Sequence, residues 1–265
     1  MGFYAATLAF SPLGAPAPAA PWTTDLALEL SYVPPLSASQ RSLGGAKTES
    51  TNLAPAFLRP RLRVALPRGY RAEASWVPPV RAFDARANLL GVALSHRGWP
   101  VRGVSLAPRL AFGTGRVTGA ITCNRQLRAH GGGDSIYFER ICYGNQSEDR
   151  FEPRALSAEL IARPARPAAA LGPWVALGVR RERNRFDVGV ICDGTHCPDG
   201  ERDPGNPILE MRTTRAYAAV GADWRPLPRA LVGAELFWLP GSVVTVRAVA
   251  GWRLHAAALP DEATR

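Results

Sequence analysis

Apolar and polar residues alternate one for one in short stretches of this chain, and the alternation returns about every 15 to 25 residues between clusters of proline and glycine. Successive side chains of a β-strand point to opposite faces, whereas an amphipathic helix repeats its apolar positions every three or four residues. Between 25 and 32, Leu26, Leu28, Leu30 and Tyr32 take one face and Asp25, Ala27, Glu29 and Ser31 the other. From 57 to 66, Leu58, Leu62, Val64 and Leu66 stand opposite Arg59, Arg61 and Arg63, a ladder of arginines on one face. Residues 70 to 77 set Ala72, Ala74 and Trp76 against Arg71, Glu73 and Ser75.

The same period runs through the rest of the chain. Leu90, Val92 and Leu94 share a face. Leu106, Leu110 and Phe112 oppose Ser105 and Arg109, and Leu156 and Leu160 oppose Ser157, Glu159 and Arg163. The last four candidates are Val175, Leu177 and Val179 against Arg180; Ala216, Ala218 and Val220 against Arg215 and Asp223; Val232 and Leu236 against Glu235; and Val244, Val246 and Ala248 against Thr245 and Arg247. The chain therefore reads as all-β with about ten strands.

Connections alternate in length. Residues 67–69, 98–100, 163–172 and 226–228 make one set, and residues 34–52, 81–86, 124–150, 193–208 and 239–242, three of them long, make the other. Short turns on the periplasmic side and longer loops outside are what an outer-membrane barrel requires, and an even strand count leaves both termini on the periplasmic side. Proline, glycine or a charged residue interrupts every apolar run before 18 residues, so no helix is long enough to span a bilayer. A membrane-resident chain of this composition must be a closed, up-and-down antiparallel transmembrane β-barrel, apolar face to lipid and polar face to lumen.

That geometry assigns a lumen set: Arg59, Arg61, Arg63, Arg71, Glu73, Arg109, Glu159, Arg180, Arg215, Glu235 and Arg247, with Glu29, Glu182, Arg163, Arg225 and Asp223. Arginine outnumbers acid there. A ten-stranded interior is narrow, and buried arginine must be paired or hydrated, so the set reads either as a salt-bridge network filling the lumen or as a narrow path favouring anions. Amphipathic rings collect at membrane interfaces. Trp22, Tyr70, Trp99, Trp174, Trp224 and Trp252 fall near the expected periplasmic ends of strands, and Tyr32, Trp76 and Trp238 near the other ends, giving two membrane girdles.

On these patterns the chain resembles the outer-membrane β-barrels of Gram-negative-type bacteria, the superfamily of OmpA-like small barrels and larger porins, over about residues 23 to 256. The resemblance implies fold and a bacterial outer-membrane location, with membrane lipid as the surrounding partner. Such barrels usually finish on a strand with a terminal aromatic; here the last strand carries Trp252 and His255 and a further tail follows. A soluble sandwich or lipocalin-like barrel, with its apolar face turned inward, is the alternative fold.

Composition adds bounds. The 265 residues show no strong compositional break and fit one domain. The formal net charge is +10, and Lys47 is the one lysine among 32 basic residues. The arginines run from Arg41 to Arg265 without forming a basic arm or helix, so no nucleic-acid partner is expected. Residues 1–22 are apolar with an Ala-Pro-Ala pattern at 17–19, like the second half of a secretory signal without its basic start; they read as a truncated signal-like leader or as an additional strand. Residues 23–256 make the barrel and 257–265 a C-terminal tail.

The four cysteines, Cys123, Cys142, Cys192 and Cys197, fall in or beside the long outer loops, an oxidising place for an exported protein. The expected disulfides are Cys123–Cys142 and Cys192–Cys197, each closing one loop. Cys192, His196 and Cys197 also have zinc-like proximity, and Asp193, Asp199, Glu201 and Asp203 could offer oxygens to calcium; exported thiols more often oxidise, and the acidic spacing matches neither an EF-hand nor an RTX repeat and reads as a solvated loop, so no metal and no cofactor are expected. Enzyme readings rest on Asp193, Asp199 and His196 at an omptin-like rim, on the lone His130, and on Ser95 beside His96, which faintly resembles lipid A deacylases. None completes a catalytic set, so the expectation is a non-enzymatic barrel, structural or a narrow anion-favouring pore carrying a small anionic solute. An outer-membrane protease or lipid-modifying enzyme, and a soluble secreted ligand-binding barrel, are the alternatives.

Overall fold

The structure is a computed structural model and describes residues 2–14, 19–35, 55–82, 85–124, 127, 132–165, 171–195 and 197–255. In chain order the strands are β1 (Thr24–Tyr32), β2 (Ala56–Ala65), β3 (Tyr70–Val77), β4 (Arg81–Ala82), β5 (Ala85–His96), β6 (Trp99–Val101), β7 (Val104–Gly119), β8 (Asp149–Glu152), β9 (Arg154–Pro164), β10 (Leu171–Asp187), β11 (Ile208–Trp224), β12 (Ala230–Leu239) and β13 (Val243–His255). Among the described residues two short helices accompany them, α1 (Gly2–Thr7) ahead of β1 and α2 (Gly132–Arg140) between β7 and β8.

These segments form a closed barrel of ten antiparallel staves. β8 and β9 are one stave interrupted at Pro153, since both pair with β7 and β10, and β4 and β6 only extend hairpins. Each stave pairs with its sequence neighbour, and β1 closes the ring on β13 with Leu26 opposite Trp252 and Leu28 opposite Ala250. Closure leaves no open sheet edge, the condition for placing strands in lipid. All ten staves coincide with the stretches of alternating sequence.

The pleat decides which face is wet. Leu26, Leu28, Leu30, Leu62, Val92, Leu160, Leu177 and Val246 are exposed, Leu177 by 67%, while Glu29, Arg61, Glu182, Glu235 and Arg247 are buried to 2% or less. A water-soluble barrel has the opposite arrangement. Exposing such a continuous apolar wall to water would be unfavourable by roughly 1.5–3 kcal/mol for each large side chain, whereas in a bilayer it is solvated. The soluble alternative is therefore excluded by the direction of the side chains.

Turns at one end are short. Arg68 and Gly69 take positive φ (62° and 80°) in the turn between β2 and β3, and the hairpin joining β6 to β7 turns through Arg102 and Gly103 (49° and 84°). The other end carries the long connections, 120–148 and 188–207. α2 lies in the first of these; its nine residues contain no apolar period long enough to announce a helix.

Candidate functional site

Ten staves place the inward arginines and acids on one another. Arg61 is the centre of the network: its Nη2 lies 2.5 Å from Glu29 Oε2, its Nε donates to the same oxygen at 2.7 Å, and its Nη1 reaches Glu73 Oε1 at 2.7 Å. Arg109 pairs with Glu159 at 2.8 Å and with Glu73 at 3.5 Å. On the far wall Glu182 takes Arg180 at 2.6 Å and Arg215 at 2.8 Å, and on β13, beside β1, Arg247 faces Glu235 of β12 at 3.5 Å. Arg63 reaches Glu73 at 3.5 Å, and Arg71, less fully buried, shares the inward parity of Glu73. The register explains the pairings, because Arg63 stands opposite Glu73, Arg109 opposite Glu159 and Glu235 opposite Arg247 on adjacent staves.

The lumen also holds a piece of chain. Residues 2–14, within the stretch read as a signal-like leader, lie inside the barrel. Ala5, Ala6, Ala9, Ser11 and Leu13 are buried to 1% or less. The segment is gripped from the arginine ladder of β2: Arg59 donates to the carbonyls of Leu8 (2.9 Å) and Ala9 (3.0 Å), Arg61 to Ser11 (2.9 Å) and Arg63 to Leu13 (2.9 Å). Arg180 reaches Ala5 O at 3.2 Å from β10, Arg109 reaches Ser11 O at 3.4 Å from β7, and Arg247 on β13 donates to Ser11 Oγ. Leu13 N donates back to Glu235 Oε2 at 3.0 Å. Contacts from β2, β7, β10, β12 and β13 at once put the segment along the barrel axis.

Phe10 fixes its register. The ring sits beside Ala93 and Ala111, over the cross-strand pair Gly91 and Gly113. A Cβ at Gly91 would meet Phe10 Cγ at 2.9 Å, so this inward glycine is a notch cut for the ring. The guanidinium groups of Arg61 and Arg109 lie 4.5 and 4.9 Å from the ring centroid, within cation–π range. Small inward residues elsewhere, Ala107, Ala176 and Ala219, leave room for Ala6 and Ala9.

The eleven residues from Arg59 to Arg247 that head the lumen set stand at inward positions, but sequence reasoning missed the chain between them. A segment held through its backbone carbonyls leaves no periodic side-chain signature; the available signal was the run of glycine and alanine on the inward faces of β5, β7, β10 and β11.

Of the rings assigned to the membrane rims, Trp22, Tyr32, Tyr70, Trp76, Trp99, Trp224, Trp238 and Trp252 are all exposed. Trp174 needs correction: it is 2% exposed and points into the lumen. It has the parity of Arg180, and its indole lies against Gly221 of β11, where a Cβ would come within 2.5 Å of the ring.

At the end bearing the long loops, the two disulfides join Cys123 to Cys142 and Cys192 to Cys197. Buried Asp149 ties both loop bases together, accepting hydrogen bonds from the backbone of Ile121 (2.8 Å) and Gly189 (2.8 Å) and from Ser147 Oγ (2.7 Å). Cys123, Leu127, Phe138, Cys142 and Val190 form a small core between the loops, and Tyr143 donates to Asp203 at 3.0 Å across them, a bond that raises the phenol above its usual pKa. The loops are therefore one cap. Asp193 and Asp203 are engaged in tight turns with the backbone of Thr195 and Gly205. Among the described residues no group of acids, histidines and cysteines is arranged to hold a metal. His130 and His196 lie outside the described residues.

Ser95 and His96 do not meet. Ser95 is buried on the lumen side, and His96 on the outer side stacks on Trp99 at 4.7 Å and accepts the Gly98 N–H at Nδ1. Neighbours on a strand point to opposite faces, so this pair makes no dyad.

A closed barrel with a lipid-facing apolar wall, a charged interior and aromatic rims defines a transmembrane β-barrel of the bacterial outer membrane. No family model matches the chain and no curated protein matches it. Among solved structures it is similar in fold to the Escherichia coli outer membrane protease OmpT (9% identity, 88% of this chain and 94% of that one, TM-score 0.42) and to Ail, the attachment invasion locus protein of Yersinia pestis (9%, 88% and 98%, TM-score 0.33). The outer membrane protein Omp33 of Acinetobacter baumannii is a third (8%, 88% and 99%, TM-score 0.34).

Proposed function

We propose that the protein is a non-enzymatic outer-membrane barrel whose arginine-lined lumen is held shut by residues 2–14 and passes small anions when that segment is withdrawn. Its disulfide-tied loops face the outside and form the lid above the segment. One observation carries this reading: six inward arginines, Arg59, Arg61, Arg63, Arg109, Arg180 and Arg247, donate to backbone carbonyls of the segment, and Arg247 donates to the Ser11 hydroxyl as well. A carbonyl is a weaker partner for guanidinium than an anion, since it offers the cation a dipole where an anion offers a full opposite charge. The same groups that hold the plug would therefore select an anion in its place.

Planar bilayers test the proposal. The full chain is expected to be silent, and a chain beginning at residue 19 is expected to conduct with a reversal potential on the anion side. In that shortened chain Arg59→Gln with Arg63→Gln should move the reversal potential toward zero. Equal conductance of the two chains would remove the plug, and a silent shortened chain would mean that side chains alone close the lumen.

A further inference from the structure

The outer wall of the barrel is not uniform near the end that carries the long loops. Over β1, β3 and β12 the apolar surface ends on rings, Tyr32, Trp76 and Trp238, all about half exposed. Over β9, β10 and β11 it ends on arginines instead. Outward positions of β10 run Leu171, Val175, Leu177 and Val179, all exposed and apolar, and then turn to Arg181, Arg183 and Arg185. From Leu171 to Val179 the rise is about 21 Å, taking ~3.4 Å per residue and a tilt of ~40°, close to the roughly 25 Å apolar band of such barrels. Arg181 and Arg183 thus begin where hydrocarbon gives way to headgroups.

Neighbouring staves make the same change at the same level. Leu156 stands opposite both Phe112 and Arg181, and one outward step further along β9 comes Arg154, while Arg183 stands opposite Arg212 of β11. Arg154, Arg181, Arg183 and Arg212 line one open groove of about 500 Å³, whose floor at the membrane side is Phe112 and Leu156. Glu182 also lines this groove, but its carboxylate is taken by Arg180 and Arg215 on the lumen side, and Glu152, beside Arg154 in the adjoining groove, pairs with Arg116. Arg183 and Arg212 share Glu210 at 3.9 and 3.5 Å, both in exposed positions, and among the described residues Arg154 and Arg181 have no acidic partner.

Long arginines at an interface often snorkel to bulk headgroups without selecting any of them. Here four converge on one groove, two of them without an acidic partner among the described residues, directly above an apolar floor. Such a site fits a ligand with phosphate at the top and acyl chains beneath. Adjacent strands are about 4.8 Å apart, so guanidinium groups spread over three staves outreach a single phosphate. Planar, bidentate donors suit phosphate oxygens better than a diffuse charge would.

We infer that this groove is a binding site for a phosphorylated glycolipid of the outer leaflet, its phosphates between Arg154, Arg181, Arg183 and Arg212 and its acyl chains along Phe112, Leu156 and Val179. The leaflet follows from the loops-outside orientation proposed above; the site does not depend on the plug, and the conductance results leave it untouched.

Native mass spectrometry of the refolded full chain in detergent tests it, with four probes offered separately: bisphosphorylated lipid A, the same lipid A stripped of phosphate, phosphatidylglycerol and sodium phosphate. Retention of the bisphosphorylated lipid at least tenfold above the stripped one, with no retention of free phosphate, supports the site. The double variant Arg154→Gln/Arg181→Gln should lose that retention about tenfold, while Arg97→Gln/Arg102→Gln at the opposite end keeps it. Equal retention of the phosphorylated and stripped lipids by the unaltered protein would overturn the inference without reference to any variant. So would phosphatidylglycerol held as tightly as lipid A, or a double variant that binds as before.

Discussion

Replacing Arg61 by Met is expected to destabilise the folded barrel by about 3 to 5 kcal/mol, the range seen when one partner of a buried ion pair is removed. The side chain is fully buried and serves two carboxylates and one carbonyl, so its loss leaves Glu29 and Glu73 facing the lumen with weaker partners. Arg59 at 3.5 Å from Glu29 and Arg63 and Arg109 at 3.5 Å from Glu73 offset part of this, which favours the lower end of the range. Removing the acids as well, in Glu29→Gln/Arg61→Met/Glu73→Gln, should recover a large share, because the damage comes from stranded charge and not from a missing contact. Denaturant unfolding of the refolded protein in liposomes checks both. A loss within about 0.5 kcal/mol for Arg61→Met alone would show a lumen wet enough to solvate the carboxylates.

Leu177→Arg probes the other face. Leu177 is 67% exposed, on the lipid-facing side of β10 and one outward step, about 5 Å, from Val175 at the centre of the apolar stretch between Leu171 and Val179. In water an exposed Leu exchanged for Arg is nearly neutral, whereas a lipid-facing Arg near the bilayer midplane of a barrel is unfavourable by about 2 to 4 kcal/mol. The same unfolding assay should therefore report a loss of that size for Leu177→Arg and a much smaller one for Val101→Arg, exposed on β6 at the end of the barrel where turns are short. Two equal, small losses would be the behaviour of a water-soluble barrel.

Much of this architecture was legible in the chain because a barrel writes its two faces into alternate residues. Leu26, Leu28 and Leu30 against Asp25, Ala27 and Glu29 already state which side meets lipid, and cross-strand register then brings Arg63 to Glu73 and Arg109 to Glu159. The cysteine pairings were legible for a similar reason, each pair lying within one loop. Trp174 shows where a positional rule yields to parity: it sits near a strand end, as a girdle residue should, but alternation with Val175 and Leu177 sends it inward onto Gly221.

The occupied lumen was not legible. Residues 2–14 carry no charge, and the arginines that hold them bind main-chain oxygens that every residue offers, so the sequence of the segment could not announce its partners. The complementary signal lay in the wall. Gly91 and Gly113 face each other across β5 and β7 between lumen-facing Leu89, Ala93, Ala111 and Arg109, and the Phe10 ring takes the space that a Cβ at Gly91 would need. The outer arginines of β10 were passed over for a different reason: Arg181 and Arg183 share the parity of Val179, and alternation alone cannot tell where along a strand the bilayer ends.

The placement of Phe10 against Gly113 tests the account most directly. A Cβ at Gly113 would lie 3.8 Å from Phe10 Cβ, and disulfides have Cβ–Cβ separations averaging about 3.8 Å. All four native cysteines are paired, so only introduced thiols are free to react. Phe10→Cys/Gly113→Cys, refolded and oxidised, should yield a crosslink between positions 10 and 113 by non-reducing mass spectrometry, whereas Phe10→Cys/Leu177→Cys, with its second thiol on the lipid side, should yield none. Absence of that crosslink, with the thiol introduced at position 10 open to a water-soluble maleimide in the folded barrel, would contradict a lumen closed by its own N-terminal segment.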